Sequence, residues 1–196
     1  MKIAKNIAAT AAALCLGMGL ASIGLNAQAA GSMSGTLNAQ MVLQSGCYIS
    51  GSSSTATTGL NFGLLDFGAQ PSTFSGVLTA TASGGAGGAG ATQITCSPDV
   101  TALSVSVSGG NNPGQGGSVG TGSRALKFGT SYLPYEVYSD AGLTTAFPVN
   151  AAALSVTLPG TGAAVALPIH GRINKTSVNA MPAGTYVDVL QVTLSW

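Results

Sequence analysis

Between Leu103 and Ser108 the chain reads Leu-Ser-Val-Ser-Val-Ser, apolar and polar side chains in strict alternation. Successive side chains of a β-strand point to opposite faces, so this run buries one face and wets the other. The same two-residue period returns at Leu154, Val156 and Leu158, at Val165, Leu167 and Ile169, and at Leu190, Val192, Leu194 and Trp196. Residues 73–81, 92–96, 125–128 and 133–138 read as further short strands, with Pro134 and Pro168 expected at sheet edges or bulges because proline cannot donate to a ladder. Outside the first 29 residues no segment sustains a 3.6-residue period. Short strands about ten residues apart, separated by glycine-rich turns, predict an all-β chain: a β-sandwich of immunoglobulin type. A length of 196 residues suits one such domain.

The first 29 residues read as something to be removed. Lys2 and Lys5 precede an apolar run from Ile7 to Leu25, and Ala27-Gln28-Ala29 is a small-x-small cleavage pattern, so residues 1–29 are read as a signal peptide. A retained anchor is the weaker reading, since the run is mostly alanine and glycine, and bulky Leu14 disfavours lipid attachment at Cys15. What remains holds four basic side chains (Arg124, Lys127, Arg172, Lys175) against five acidic ones (Asp66, Asp99, Glu136, Asp140, Asp188). No basic cluster is available to displace counterions from phosphates, which argues against a nucleic-acid partner. Charged residues make up only 6% of the chain, far below the usual quarter. A surface so weakly charged has little protection against self-association.

Two cysteines follow the leader, Cys47 and Cys96. In an oxidising compartment they read as one disulfide, and closing a loop of about 50 residues is worth roughly 4 kcal/mol on the chain-entropy model. With His170 the only histidine, no recognisable metal set forms, and no cofactor is expected. Gly85-x-Gly87-x-x-Gly90 formally matches a dinucleotide fingerprint, but residues 92–96 that follow read as a strand where the fingerprint needs a helix. Residues 83–91 are therefore expected to form a flexible hairpin tip. The charge-free stretch 109–123 is expected to be a long loop, mobile or engaged in an inter-subunit contact. Tyr186, near the start of the last strand, fits a corner tyrosine and a plain core or surface tyrosine equally well.

The two ends of the mature chain belong to one argument. Leu37, Ala39, Met41 and Leu43 fall two apart, with Thr36, Asn38 and Gln40 between them, in a segment whose glycines at 31 and 35 make it a poor nucleator. This is either an ordinary first strand or a strand carried for a neighbour. At the other end, residues 185–196 read as an apolar, β-branched strand running to the last residue, where termini are normally polar and frayed. If it is the sixth strand of a seven-strand sandwich, no sequence remains for the seventh. The sheet then has an edge beside an apolar groove, and both are costly. Filling the groove with three or four aliphatic side chains contributes roughly 1.5 to 3 kcal/mol each before ordering costs. Strand 37–43 of another copy is available to fill it. Donor and acceptor are then different surfaces, so the contact is head to tail and makes a fibre.

At the level of motifs the chain resembles the secreted pilin or spore coat protein U family, subunits of archaic chaperone–usher pili of the Csu type. The resemblance covers the mature chain. It rests on the alternating N-terminal segment running into Gly46-Cys47, on Leu65-Asp66-Phe67-Gly68, on the strand-borne Cys96, on Tyr135-Glu136-Val137-Tyr138-Ser139-Asp140, on His170-Gly171-Arg172-Ile173, and on Pro182-Ala183-Gly184-Thr185-Tyr186-Val187-Asp188 before the final strand. His170 stands where an aromatic residue is expected, and Val42 is apolar on the donor's outward face. The resemblance implies an incomplete sandwich over residues 46–196 behind a donor strand at 30–45. It further implies secretion through the periplasm to the cell surface, folding on a strand lent by a periplasmic chaperone, and exchange of that strand at an outer-membrane usher for the N-terminal segment of the next pilin subunit. In this reading Leu37, Ala39, Met41 and Leu43 enter successive pockets, Leu190, Val192 and Leu194 line the groove, and Trp196 lies near the chaperone's anchoring site. A single domain with no lectin-like half points to a rod or minor subunit of an adhesive, biofilm-forming pilus.

Three rivals stand beside it. An enzyme is unsupported by one histidine and five scattered carboxylates, and His170 reads as structural or surface. A carbohydrate-binding tip module would use Tyr132, Tyr135 and Tyr138 as a stacking surface. A non-fimbrial coat protein of the same family is the third.

Overall fold

A computed structural model of the chain describes residues 31–51, 58–86 and 88–196. The leader with Cys15, the middle of the polar tract after Ile49, and Gly87 lie outside the described residues.

Eleven strands and no helix are found among the described residues, in accord with an all-β reading. They form three antiparallel sheets. The first is β1 (Cys47–Ile49), β3 (Gln93–Cys96) and β9 (Val165–Ala166), in the order β1-β3-β9. The second is β11 (Val192–Ser195), β4 (Ala102–Val107) and β8 (Leu154–Thr157), in the order β11-β4-β8. The third is β2 (Gly76–Thr81), β10 (His170–Lys175), β7 (Ser131–Tyr138) and β6 (Arg124–Phe128), with β5 (Gly120–Thr121) also on β10. All three turn their apolar faces to one core: Ile94 and Cys96 from the first sheet, Leu103, Val105 and Val107 from the second, Leu133, Tyr135, Val137 and Ile173 from the third. This is a sandwich with one continuous layer and one divided layer. The alternation of residues 103–107 holds as expected, with Leu103, Val105 and Val107 at 0–1% exposure.

Polar groups lock the core. Arg124 is fully buried and donates to the carbonyls of Val107, Ser108 and Phe147, and it pairs with Glu136 at 2.6 Å. Burial pushes its pKa down while Glu136 opposes that shift. Lys175, also buried, donates to the carbonyls of Ser177 and Asn179. No buried side-chain nitrogen or oxygen among the described residues lacks a partner, so these charges are structural and satisfied.

Several local expectations are corrected. Residues 83–91 are not a hairpin tip: β2 and β3 lie in different sheets, so this segment crosses between layers. Gly85 is buried there, and the position takes a glycine because a Cβ would run into the Thr92 hydroxyl and the Asn61 carbonyl. Stretch 109–123 is held in place: it contains β5, Gly114 N–H donates to Ser123 O, and Asn111 N–H donates to Asp188. Pro134 lies on β7, an interior strand. At its level β10 has passed from pairing with β7, ending at Ile173↔Tyr135, to pairing with β5 from Asn174↔Thr121, so the missing N–H falls at a handover between ladders. Pro168 marks a crossing from β9 to β10, which belong to different sheets.

Residues 185–196 form a strand only over Val192–Ser195. Upstream, Val187 bridges Lys127 beside β6, and then Val192 pairs with Val107 of β4, so the segment leaves one layer for the other. Tyr186 turns this corner: its hydroxyl donates to the Pro182 carbonyl at 3.0 Å, the local bond of a corner tyrosine in immunoglobulin-type sandwiches.

Candidate functional site

The divided layer contains the site. β1 ends one three-stranded sheet and β11 ends the other. Between these terminal strands runs a cleft of about 530 Å³, lined from one side by Cys47, Tyr48, Ile49, Leu60, Phe62 and Ile94, and from the other by Leu190, Val192, Leu194 and Trp196.

Alternation within residues 190–196 explains the second wall. Leu190, Val192 and Leu194 point the same way because a strand repeats every two residues, and β11 is held against β4 by the register Val192↔Val107 and Leu194↔Val105. They are half-buried, packing on the core while facing the cleft, and Trp196 at the rim is 58% exposed. Leu190, Val192, Leu194 and Trp196 thus line one and the same cleft.

The first wall is held by the disulfide. Cys47 and Cys96 are register partners on β1 and β3 and are bonded, as expected. Because β1 is only three residues long, this cross-link supplies much of what keeps it beside β3. Ahead of it, Gly46 N–H donates to Ser97 Oγ at 3.0 Å, Gly46 O accepts from Ser97 N–H at 2.8 Å, and the Ser45 hydroxyl donates to the Asp99 carboxylate. Hydrogen bonds from Ser45 and then Ser97 hold the Asp99 carboxyl below its ordinary range.

Sequence reasoning missed the residues of this wall: Tyr48, Ile49, Leu60, Phe62 and Ile94. Leu60 and Phe62 do fall two apart, but the surrounding run 60–68 was legible only as a short buried stretch. In the structure it makes one isolated bridge, Leu64↔Ser83, and Leu64 is 65% exposed.

Residues 31–41 form a unit of their own, without a strand. Met33, Leu37 and Met41 are 101%, 95% and 80% exposed, Ala39 is exposed as well, and beyond this unit Leu43 is 81% exposed. Elsewhere a depression of about 230 Å³ is lined by Thr79, Ala80, Thr81, Ala141, Leu143 and His170. His170 meets Thr81 Oγ1 at 3.1 Å, a side-chain contact across the register pair His170↔Thr81. Tyr132, Tyr135 and Tyr138 do not form a stacking surface: Tyr138 is buried, Tyr132 is only half-buried, and Tyr135 is held inside the core. The Tyr135 hydroxyl donates to Asp188 at 2.8 Å, and burial followed by that bond raises its pKa.

Comparison with known proteins agrees with the motif reading. No curated protein sequence matches the chain. Among solved structures it is similar to the CsuC–CsuE chaperone–tip adhesion subunit pre-assembly complex from archaic chaperone-usher Csu pili of Acinetobacter baumannii, at 21% identity and a TM-score of 0.41, covering 79% of this chain and 40% of that one. The family model described as Spore Coat Protein U domain matches residues 33–193, nearly the whole described chain, and the chain therefore belongs to the Spore Coat Protein U domain family.

Proposed function

We propose that this protein is a structural subunit of an adhesive surface pilus, built by a periplasmic chaperone and an outer-membrane usher, and that it polymerises by lending residues 37–43 to the cleft of the next copy. The observation that carries the reading is the cleft between β1 and β11, with apolar side chains on both walls beside Thr58, Gln191 and Thr193, and bounded by the terminal strands of two sheets. A strand placed there would have a ladder partner on either side. Its inward side chains would complete the core, and two three-stranded sheets would become one layer. Leu37, Ala39, Met41 and Leu43 have the required period and are exposed. Seven residues of strand extend about 23 Å, enough to run the length of walls built from strands of three and four residues with their flanking segments.

The same chain carries both an apolar alternating segment and an apolar cleft, which favours a rod subunit, able to extend the fibre in both directions. During export a chaperone strand would occupy the cleft, with Trp196 at its rim near the anchoring contact. Membership in the Spore Coat Protein U domain family is in keeping with this assignment.

The test is a fusion that places a second copy of residues 31–43 after Trp196 through a flexible linker. The expected product is a soluble monomer melting well above the unfused chain. A fusion that melts no higher overturns the donor assignment.

A further inference from the structure

A donor strand so close to its own cleft raises a question of direction. Only Gln44, Ser45 and Gly46 separate Leu43 from Cys47, where β1 and the cleft's first wall begin. Three residues are within the usual length of a β-hairpin loop. By length alone, residues 37–43 are able to fold back along β1 and close the chain's own cleft. Such a closed monomer has a local, fast-forming contact and never extends a fibre.

The bonds at residues 45–46 oppose this. Gly46 exchanges hydrogen bonds with Ser97, through Ser97 Oγ at 3.0 Å and Ser97 N–H at 2.8 Å, and the Ser45 hydroxyl donates to the Asp99 carboxylate. Ser97 and Asp99 belong to the turn that follows β3, closed by Val100 N–H donating to Ser97 O. β3 is the sheet neighbour of β1, which ends its sheet, and the cleft with β11 on its other wall runs along β1 as well. All these contacts therefore draw the chain toward β3 as it leaves β1, whereas a hairpin into the cleft must turn toward β11.

The geometry points to Ser45, Ser97 and Asp99 as a directional clamp that denies the donor segment its own cleft and so reserves that cleft for a second copy of the chain. The clamp rests on the donor reading above and adds to it what decides between closing and growing. Ser45 and Asp99 are positioning residues, acting through the path of the backbone and touching no partner themselves. Both are exposed, so the interaction costs the core nothing to remove.

The experiment uses the exported full-length chain, followed by size-exclusion chromatography with light scattering and by thermal melting of the monomer peak. Four variants are compared with wild type: Ser45→Ala/Asp99→Ala, the conservative Ser45→Thr, Met41→Asp, and the clamp double variant combined with Met41→Asp. The clamp variant is expected to give a several-fold larger monomer fraction, melting above the wild-type monomer. Met41→Asp in the same chain should remove both gains, and Ser45→Thr, which keeps the hydroxyl, should behave as wild type. Weakening a merely structural contact would lower the melting temperature, so a clamp variant whose monomer melts lower overturns the inference. So does a clamp variant that polymerises at the wild-type rate while Met41→Asp alone stops growth, a result that leaves the donor reading standing. Undiminished polymerisation by Met41→Asp alone overturns the donor reading, and the clamp with it.

Discussion

β4 and β11 are neighbours in one sheet and carry nearly the same code. Leu103, Val105 and Val107 alternate with serines in one, and Val192 and Leu194 alternate with Thr193 and Ser195 in the other. Their environments differ. β4 is flanked by β11 and β8, and its three apolar side chains are 0–1% exposed. β11 ends its sheet, and Val192 and Leu194 are half-buried at the wall of a cleft. Periodicity states which face of a strand is apolar. Whether that face is covered depends on what lies beside the strand, and for β11 the proposed cover is a second molecule.

The largest effect that separates the two strands is a buried charge. Val105→Asp should abolish folding, because an unpaired carboxylate in a closed core costs more than the whole stability of a typical domain can spare, on the order of 5 kcal/mol. Leu194→Asp, one register position across, should leave a folded chain on a chaperone strand or in fresh monomer, and should block fibre growth. Circular dichroism reports the first loss and light scattering the second. Equal damage from both substitutions would mean that β11 is as closed as β4.

A smaller effect is expected at the other wall. Replacing Cys47 and Cys96 by serine should destabilise the domain by roughly 4 kcal/mol and should selectively free β1, which has only three residues of ladder to hold it. The expected signature in hydrogen exchange is loss of protection in β1, with β4 and β7 protected until global unfolding.

Tyr186→Phe removes one hydroxyl and its bond to Pro182 at the point where the chain changes layers. The cost should be about 1 kcal/mol by denaturant melting, with the cleft's second wall loosened ahead of β4.

Acid should act least. Asp99 and Asp140 both sit below their ordinary pKa of 3.8, Asp99 through Ser45 and Ser97, Asp140 through the Thr145 amide and then the Thr144 amide and hydroxyl. A carboxylate lowered on folding lends stability above its ordinary pKa, and that stability is lost as the pH falls through the lowered value. A shallow decline in melting temperature is expected only below about pH 4, absent from an Asp99→Asn/Asp140→Asn variant.

Where each residue sits along a strand was legible from the sequence, because alternation is a local property. Strand membership at 103–107 and the common face of Leu190, Val192, Leu194 and Trp196 were readable in this way, whereas the strands expected over 165–169 and 185–196 shrink to Val165–Ala166 and Val192–Ser195, and the Cys47–Cys96 pair followed from the cysteine count instead. Pairing was not readable. β10 finds β2 some ninety residues away, and β5 arises inside a glycine-rich stretch whose one aliphatic residue, Val119, makes no alternating pattern. The crossings at Pro168, at residues 83–91 and between Val187 and Val192 depend on which layer each neighbour occupies, and a period of two is silent about layers. The wall formed by Tyr48, Ile49, Leu60, Phe62 and Ile94 was missed for the same reason: its members come together only after β1, the 60–62 segment and β3 assemble.

Amide hydrogen exchange, read residue by residue along β11 in the free monomer and in the monomer fused to a second copy of residues 31–43, tests the central claim most directly. The account predicts that the β11 amides pointing away from β4 exchange quickly in the free chain and become strongly protected in the fusion, with β4 unchanged. Identical exchange along β11 in the two proteins would contradict it.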